Sequence, residues 1–308
     1  MDHIRTYTTP PLRDPIMIAA FAGWNDASEV ATFAARFLVE QWDARKMADI
    51  DPEDYYVFTE TRPQVRVPGR FQRYVQWPAN EFFYYVNEQR ERDVVVLVGV
   101  EPDLKWRTFV DDLTAYCRFQ GIGTVVTLGA LVADVPHTTP VRLSGTASPS
   151  WFARRLRRAG VQPTRYTGPT GVVGVLNSAC ARRRISTASI WGSAPEYLSA
   201  SPNPKVALSM LEALDRLLDL GLDLGELVQL SEQFDRQVAD IVSSDPELQS
   251  YVRQLEETEQ ARSQEGDGAM AEVTSEEQEP LPSGEELIRE LEEYLRRQRR
   301  SQSDSPAS

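Results

Sequence analysis

Short apolar segments alternate with amphipathic segments along the first 220 residues of the chain. The apolar segments predict seven β-strands, at residues 16–21, 55–59, 73–77, 82–86, 94–100, 124–128 and 186–191. Apolar residues at helical spacing predict five helices between or after them, at residues 27–42, 106–119, 149–159, 172–182 and 205–220. Because strand and helix signals alternate, we expect residues 1–220 to form an α/β sandwich with a largely parallel sheet.

Two strand signals differ in kind. The run DVVVLVGV, residues 93–100, is almost entirely apolar, which is typical of a central strand covered on both faces. The two aromatic strands at residues 73–77 and 82–86, around the stretch QWPANEFFYY, instead indicate a hairpin or an antiparallel edge.

After residue 220 the strand signals stop and helical spacing continues. Residues 221–258 predict a helical extension of two helices, the second beginning at Asp245-Pro246, where proline suits the first helical position. Residues 259–282 combine Glu, Gln, Ser and Gly with few large apolar side chains, and predict a disordered acidic linker.

A final amphipathic helix is predicted at residues 283–300, before a disordered tail at 301–308. Ser283 and Glu286 have capping-box spacing. One face of this helix carries its apolar side chains, which are those of Leu287, Ile288, Leu291, Tyr294 and Leu295. An isolated helix of this length is marginal in water, so the face predicts docking on the chain itself, a sister subunit or a partner.

The charge is unevenly distributed. The net charge is −13, and residues 256–308 carry fifteen Asp or Glu against six Arg. An acidic molecule repels nucleic acid and anionic lipid, so we expect neither as a partner. The two distant cysteines, Cys117 and Cys180, predict buried thiols in a reduced cytoplasm, and neither an export signal nor a membrane-spanning run is expected.

The stretch AFAGWNDASEV places a turn between the first predicted strand and a helix. Asp26 and Glu29 have the spacing of an N-cap and its N3 partner. Capping does not explain Gly23, Trp24 and Asn25, which lie where open α/β sheets bind ligands. A structural turn and a ligand or partner site both remain open interpretations. A phosphate loop is disfavoured, because the turn has one glycine and no lysine.

A second stretch, LVADVPHTTPVR, follows another predicted strand and contains Asp134, His137 and Arg142. Asp134 and His137 could form a general-base pair, but no nucleophile motif accompanies them. The alternative is a hydrogen-bonded loop histidine that shapes a surface beside the Gly23–Asn25 turn. Two His and two Cys without ligand spacing predict no metal site. The glycines of GPTGVVG, residues 168–174, fit a tight turn with close helix packing.

Five stretches taken in order resemble the bacterial branch of the proteasome assembly chaperone 2 family. They are GWNDAS, GVEPDLKWRTF, LGALVADVPHTTPV, GPTGVVGVL and SIWGSAPEYLSASPNPKVALSMLEAL, and the resemblance covers roughly residues 15–300. It implies a three-layer α/β/α sandwich similar to the nucleoside phosphorylase and hydrolase fold, usually in a homo-oligomer. We expect no cofactor. It also implies a non-enzymatic role, in which some relatives bind proteasome α-type subunits during assembly.

The sequence departs from that family pattern at three places. Thr139 and Glu196 replace residues that are commonly basic, which makes the loops less cationic. The ending SDSPAS lacks the hydrophobic-Tyr-any terminus with which some relatives enter the α-ring. The resemblance, the lack of a complete catalytic constellation and the acidic tail with its amphipathic helix favour an assembly or interaction protein as the leading hypothesis. Its candidate binding residues are Gly23, Trp24, Asn25, Asp26, Asp134, His137, Arg142, Leu287, Leu291 and Leu295. The alternative is an enzyme acting on a nucleoside or another glycosidic bond, which rests on fold analogy.

Overall fold

The computed structural model describes residues 3–69, 72–198 and 202–264. The described residues form twelve strands: β1 (Ile4–Thr6), β2 (Ile16–Ala22), β3 (Arg45–Ile50), β4 (Gln64–Gly69), β5 (Gln72–Gln76), β6 (Asn80–Tyr85), β7 (Val94–Val100), β8 (Thr124–Ala133), β9 (Leu143–Gly145), β10 (Ala147–Ser148), β11 (Gln162–Pro163) and β12 (Ser186–Pro195). The helices are α1 (Val30–Gln41), α2 (Trp106–Phe119), α3 (Ser150–Arg158), α4 (Val172–Arg182), α5 (Pro204–Leu218), α6 (Gly225–Ser244) and α7 (Pro246–Gln264). Short 3-10 turns cover Ala27–Glu29 and Glu196–Leu198.

One large mixed sheet organises the molecule, with strand order β1-β3-β6-β7-β2-β8-β12-β9-β11. Its centre is parallel: β2 pairs with β7 and β8, and β8 pairs with β12 over ten residue pairs. Strands β6, β3 and β1 extend the sheet in antiparallel fashion on one side. Strand β10 pairs separately with β12. The central parallel arrangement confirms the expected α/β class.

Helices cover both faces of this sheet. Ile16, Ile18 and Ala20 of β2 face one buried cluster, which α1, α3 and α5 complete. Met17, Ala19 and Phe21 face the other, which α2 and α4 complete. Since successive strand residues point to opposite faces, the unbroken apolar run of β2 supplies both cores. Cys117 and Cys180 are free and buried in the second cluster, as predicted.

The predicted strand at residues 55–59 is wrong, because these residues form turns and irregular backbone instead. Tyr55 and Tyr56 are both buried in the same cluster, whereas a strand would send neighbouring side chains to opposite faces. Strand β3 was not predicted, since Arg45, Lys46 and Asp49 interrupt its apolar pattern.

Of the two alternatives for the aromatic strands, the hairpin between them is wrong. Strand β5 pairs with β4 in a separate two-stranded ribbon, while β6 lies antiparallel between β3 and β7 in the main sheet. The antiparallel character of β6 was predicted; its partners depend on tertiary structure.

The C-terminal helices extend further than predicted. Helix α7 continues to Gln264, so residues 259–264 are helical rather than part of a linker. Glu259 forms an ion pair with Arg142, which ties this last part of the helix to the sandwich. The predicted helix at 283–300, with Leu287, Leu291 and Leu295, and the tail at 301–308 lie outside the described residues. None of the helices in the described part of the chain has the length and apolar content to cross a membrane.

Candidate functional site at the carboxyl edge of the sheet

The loops singled out by the sequence follow neighbouring strands. Strand β2 lies between β7 and β8 and runs parallel to both, so the loops after these three strands leave the sheet at one edge, called here the carboxyl edge. The backbone N–H of Ala130 in β8 donates to the carbonyl of Asn25 at 2.8 Å. The Gly23–Asp26 turn is therefore fastened directly to the strand that precedes Asp134 and His137.

Asn25 and Glu101 join two of these loops to a helix. The Asn25 side-chain amide donates to Glu101 Oε1 at 2.7 Å, and the backbone N–H of Val172 donates to the same oxygen at 2.6 Å. Val172 is the first residue of α4, so a carboxylate of the chain itself occupies the positive end of that helix. Asn25 is buried, and its Oδ1 has no hydrogen-bond partner among the described residues.

Gly171 allows this close approach. A Cβ at this position would lie 2.3 Å from Nδ2 of Asn25 and 2.5 Å from Oε1 of Glu101. The predicted glycine turn therefore allows tight packing. It brings together residues from three stretches noted in the sequence, GWNDAS, GVEPDLKWRTF and GPTGVVGVL. Glu101 was not among the predicted site residues. Its position directly after a buried strand was the available signal.

Trp24 contrasts with its neighbours. Gly23 has a φ of 123°, which side chains rarely tolerate, and the chain then places Trp24 at 64% exposure beside buried Asn25 and Asp26. Other large exposed apolar residues lie in or beside the loops of the same edge: Leu104, Leu131, Val132 and Tyr166. We call these five side chains the carboxyl-edge surface.

Asp26 stabilises the start of α1, although not through the predicted capping box. Its Oδ1 accepts hydrogen bonds from the backbone N–H groups of Ala31 at 2.7 Å and Thr32 at 3.2 Å, and Oδ2 accepts from the Thr32 hydroxyl. The helix begins one turn later than predicted because Ser28 and Glu29 adopt left-handed conformations with φ of 51° and 52°. Glu29 is therefore not the N3 partner of Asp26. Burial raises the pKa of Asp26 above its ordinary value, although the hydrogen bonds from Thr32 and Ala31 partly oppose that increase.

His137 is a buried loop residue bonded to Tyr197. Its backbone N–H and its Nδ1 each lie 2.7 Å from the Tyr197 hydroxyl oxygen, while Asp134 is exposed and does not bond to the ring. Burial lowers the pKa of His137, and the nearby Lys205 ammonium lowers it further. The structure therefore does not bring Asp134 and His137 together as a general-base pair.

The α6–α7 hairpin covers this second loop. Glu256 accepts from the Thr138 hydroxyl, and Glu259 pairs with Arg142. Tyr197 and Leu198 form a separate apolar cluster with side chains of α6 and α7, and the Tyr197 and Tyr251 rings meet edge to face at 5.9 Å. His137, through Tyr197, and Arg142, through Glu259, thus contribute to holding the hairpin. No sequence signal identified Tyr197 as the partner of His137.

A shallow depression remains beside His137, lined by the 135–142 loop, the end of β12 and the start of α5. It holds about 320 Å³, including open solvent. Within residues 3–69, 72–198 and 202–264, no group of three or more His, Cys, Asp or Glu side chains is placed to hold a metal ion.

Comparison with known proteins gives consistent relatives. The model of the PAC2 family matches residues 20–242. A PAC2 family protein from Streptomyces avermitilis is 38% identical, with 78% of this chain and 100% of that chain covered and a TM-score of 0.70. A Mycobacterium tuberculosis proteasome-assembly chaperone homologue is 40% identical, with 77% and 99% covered and a TM-score of 0.70.

A more distant likeness concerns the fold alone. The Pyrococcus furiosus protein PbaB, an archaeal proteasome activator, is 19% identical, with 77% of this chain and 97% of that chain covered and a TM-score of 0.62. No curated protein matches the chain significantly.

Proposed function

Because the chain belongs to the PAC2 family, we propose that it is a non-enzymatic, chaperone-like protein whose partners are proteasome subunits. The relative from M. tuberculosis is a proteasome-assembly chaperone homologue at 40% identity over nearly its whole length. We place the protein in the cytoplasm, where its two free thiols remain reduced, and expect it to act as a homo-oligomer.

The single observation that carries the proposal is the exposure of Trp24 on a fixed support. The adjacent Asn25 and Asp26 are buried and hydrogen-bonded to Glu101 and to the start of α1, so the turn has little freedom. Tryptophan is enriched among the residues that dominate binding energy in protein interfaces. A rigid turn that presents an indole beside other apolar side chains suits a protein partner.

The geometry also argues against the enzyme alternative. A phosphorylase needs a place for phosphate, and a helix N-terminus is the usual one. At α4 the Glu101 carboxylate accepts the Val172 N–H and would repel an anion. His137 is engaged with Tyr197 and lies beneath α7, and its ring makes no hydrogen bond to Asp134.

Binding to purified proteasome α-type subunits from the same organism tests the proposal. We expect Trp24→Ala to weaken binding about 30-fold, the effect of losing about 2 kcal/mol at a dominant contact. Trp151→Ala is the matched control, since Trp151 is 45% exposed on α3, away from the carboxyl-edge surface. Equal binding by wild type and Trp24→Ala would remove Trp24 from the interface, and no binding by wild type would contradict the proposed partner.

Two further measurements address the remaining parts of the proposal. Light scattering of the full-length protein gives its mass in solution, and a monomer would contradict the homo-oligomer. A thermal-shift screen with nucleosides, phosphate and sugar phosphates examines the enzyme alternative. A ligand at about 100 times its dissociation constant adds about 2.7 kcal/mol to the free energy of unfolding, so a specific shift would favour that alternative.

A further inference from the structure

The β4–β5 ribbon projects from the sandwich with little cover. All described residues of the two strands are exposed, and they include the apolar side chains Val65, Val67, Tyr74 and Val75. At its base the Trp77 ring contacts Phe58, with centroids 4.8 Å apart. A lone two-stranded ribbon is marginally stable in water, so its exposed valines and tyrosine indicate a surface that is covered in the working protein.

The charge of this ribbon is opposite to that of the chain. Residues 62–69 and 72–77, called here the arginine ribbon, contain Arg62, Arg66 and Arg73 and no Asp or Glu, although the whole chain carries −13. Arg66 donates to Gln76 at 2.6 Å within the ribbon. No ion pair involves Arg62, Arg66 or Arg73 among the described residues. A concentrated positive surface of this kind favours an acidic occupant.

The chain itself contains such an occupant directly after α7. Residues 265–293 include eleven Asp or Glu and one Arg, together with apolar residues such as Val273, Leu281 and Leu287. The segment therefore carries negative charges that can pair with the arginines of the ribbon, and apolar side chains that can cover its exposed valines and tyrosine.

The topology places the two within reach. Five residues before its end, helix α7 contacts Arg142 through Glu259. The backbone N–H of Ser193, close to the carboxyl end of β12, donates to the Arg142 carbonyl. The ribbon leads into Asn80, the first residue of β6, and Glu81 is paired with Val98 near the end of β7. Both therefore lie at the carboxyl edge. They are separated by the width of about four strand spacings, or about 20 Å. Twenty-nine residues span up to roughly 100 Å when extended.

We propose that the acidic segment 265–293 docks on the arginine ribbon of the same molecule. Tethering raises its effective concentration to the millimolar range, so an affinity too weak to hold separate chains together suffices. The attraction between exposed charges falls as salt shortens the Debye length. Docking covers the ribbon when no partner is bound. This inference does not depend on the proposed function, because it concerns the isolated protein.

Hydrogen exchange of the full-length protein, followed by mass spectrometry in peptides covering residues 64–76, tests the docking. The informative variant is Glu272→Gln/Glu276→Gln/Glu277→Gln/Glu279→Gln, which leaves every described residue unchanged. At about 20 mM salt we expect exchange of the ribbon to be several-fold faster in this variant than in wild type. At about 500 mM salt we expect the two to exchange alike.

A second pair of variants tests the ribbon side. Arg66→Glu/Arg73→Glu should accelerate hydrogen exchange of peptides from residues 265–293. The matched control is Arg36→Glu/Arg154→Glu, which changes exposed positions of α1 and α3. The control should leave the exchange of these peptides unchanged. Equal ribbon exchange in wild type and the glutamine variant at low salt would overturn the proposal. So would protection that rises with protein concentration, because that dependence means docking between molecules.

Discussion

The carboxylate of Glu101 accepts a hydrogen bond of 2.7 Å from the side-chain amide of Asn25, and so joins the loops that follow β7 and β2. The same oxygen accepts the first N–H of α4. Three segments that are distant in sequence are held through one side chain. The turn that carries Trp24 is rigid for this reason.

Replacement of Glu101 should release this junction. We expect Glu101→Ala to lower the free energy of unfolding by about 2–3 kcal/mol, because the Asn25 amide and the Val172 N–H both lose their acceptor. Glu101→Gln retains an acceptor oxygen and loses only the charge at the helix end, which costs about 0.5–1 kcal/mol. Urea unfolding of the three proteins measures the difference. Equal losses for the two variants would mean that charge, not hydrogen bonding, dominates.

Gly171→Ala should be destabilising for steric reasons. The new Cβ would lie within 2.5 Å of Asn25 and Glu101, and overpacking of this kind costs about 1–3 kcal/mol. Gly123→Ala is the matched control, since its Cβ would meet no atom within 4 Å. Thermal unfolding should show a lower Tm for Gly171→Ala alone. A comparable decrease of Tm in both variants would mean that the effect comes from replacing any glycine, and not from the close contacts at Gly171.

Asp26→Ala should lower stability by about 2 kcal/mol, more than an exposed helix cap, because the N–H groups of Ala31 and Thr32 are buried with it. Asp26→Asn retains the Oδ1 acceptor and should cost less. Chemical denaturation separates the variants, and binding to the partner should survive both. Loss of binding at unchanged stability would instead identify Asp26 as a contact residue.

Asp93 should make stability depend on acid pH. It is fully buried and accepts bonds from the Arg13 guanidinium, from the Arg13 N–H at 2.6 Å and from the Asn87 N–H at 3.0 Å. Burial raises the pKa of Asp93, but these bonds and the Arg13 charge outweigh it and hold the pKa below its ordinary value.

The sign follows from this lowered pKa. The contribution of Asp93 is complete at neutral pH, falls as the pH drops below the ordinary value of about 3.9, and is lost below the native pKa. Urea midpoints from pH 7 to pH 3 should therefore fall less steeply for Asp93→Asn than for wild type, from a lower value at pH 7. Parallel pH profiles would contradict this account.

The sequence predicted best where one local signal dominates. The apolar face of α2 and the glycines before α4 fix both helices at the predicted bounds, Trp106–Phe119 and Val172–Arg182. Helix α5 begins at Pro204, one residue before the predicted start, because Asn203 accepts the Val206 N–H and Pro204 takes the first helical position. Capping residues of this kind are local and can be read from sequence.

Features that depend on distant partners could not be predicted. Strand β3 carries charges that are tolerated only because of where the sheet places it, and the turns at 55–59 bury two aromatic rings without a strand. The Gly23–Asp26 turn was identified at a strand end, but its connection to Glu101 and Gly171 required the strand order. His137 was identified too, whereas its bond to Tyr197 joins residues sixty positions apart.

The central position of β2 has a consequence for how the protein is made. Ile16 at its start pairs with Val94 and also with Thr124, which is synthesised 108 residues later. At about 5–20 residues per second, a ribosome needs on the order of 5–20 s to provide that second neighbour. Throughout this interval one of the most apolar segments of the chain has at least one unpaired edge. During its own synthesis, the nascent chain therefore exposes an unpaired apolar strand edge, which favours aggregation.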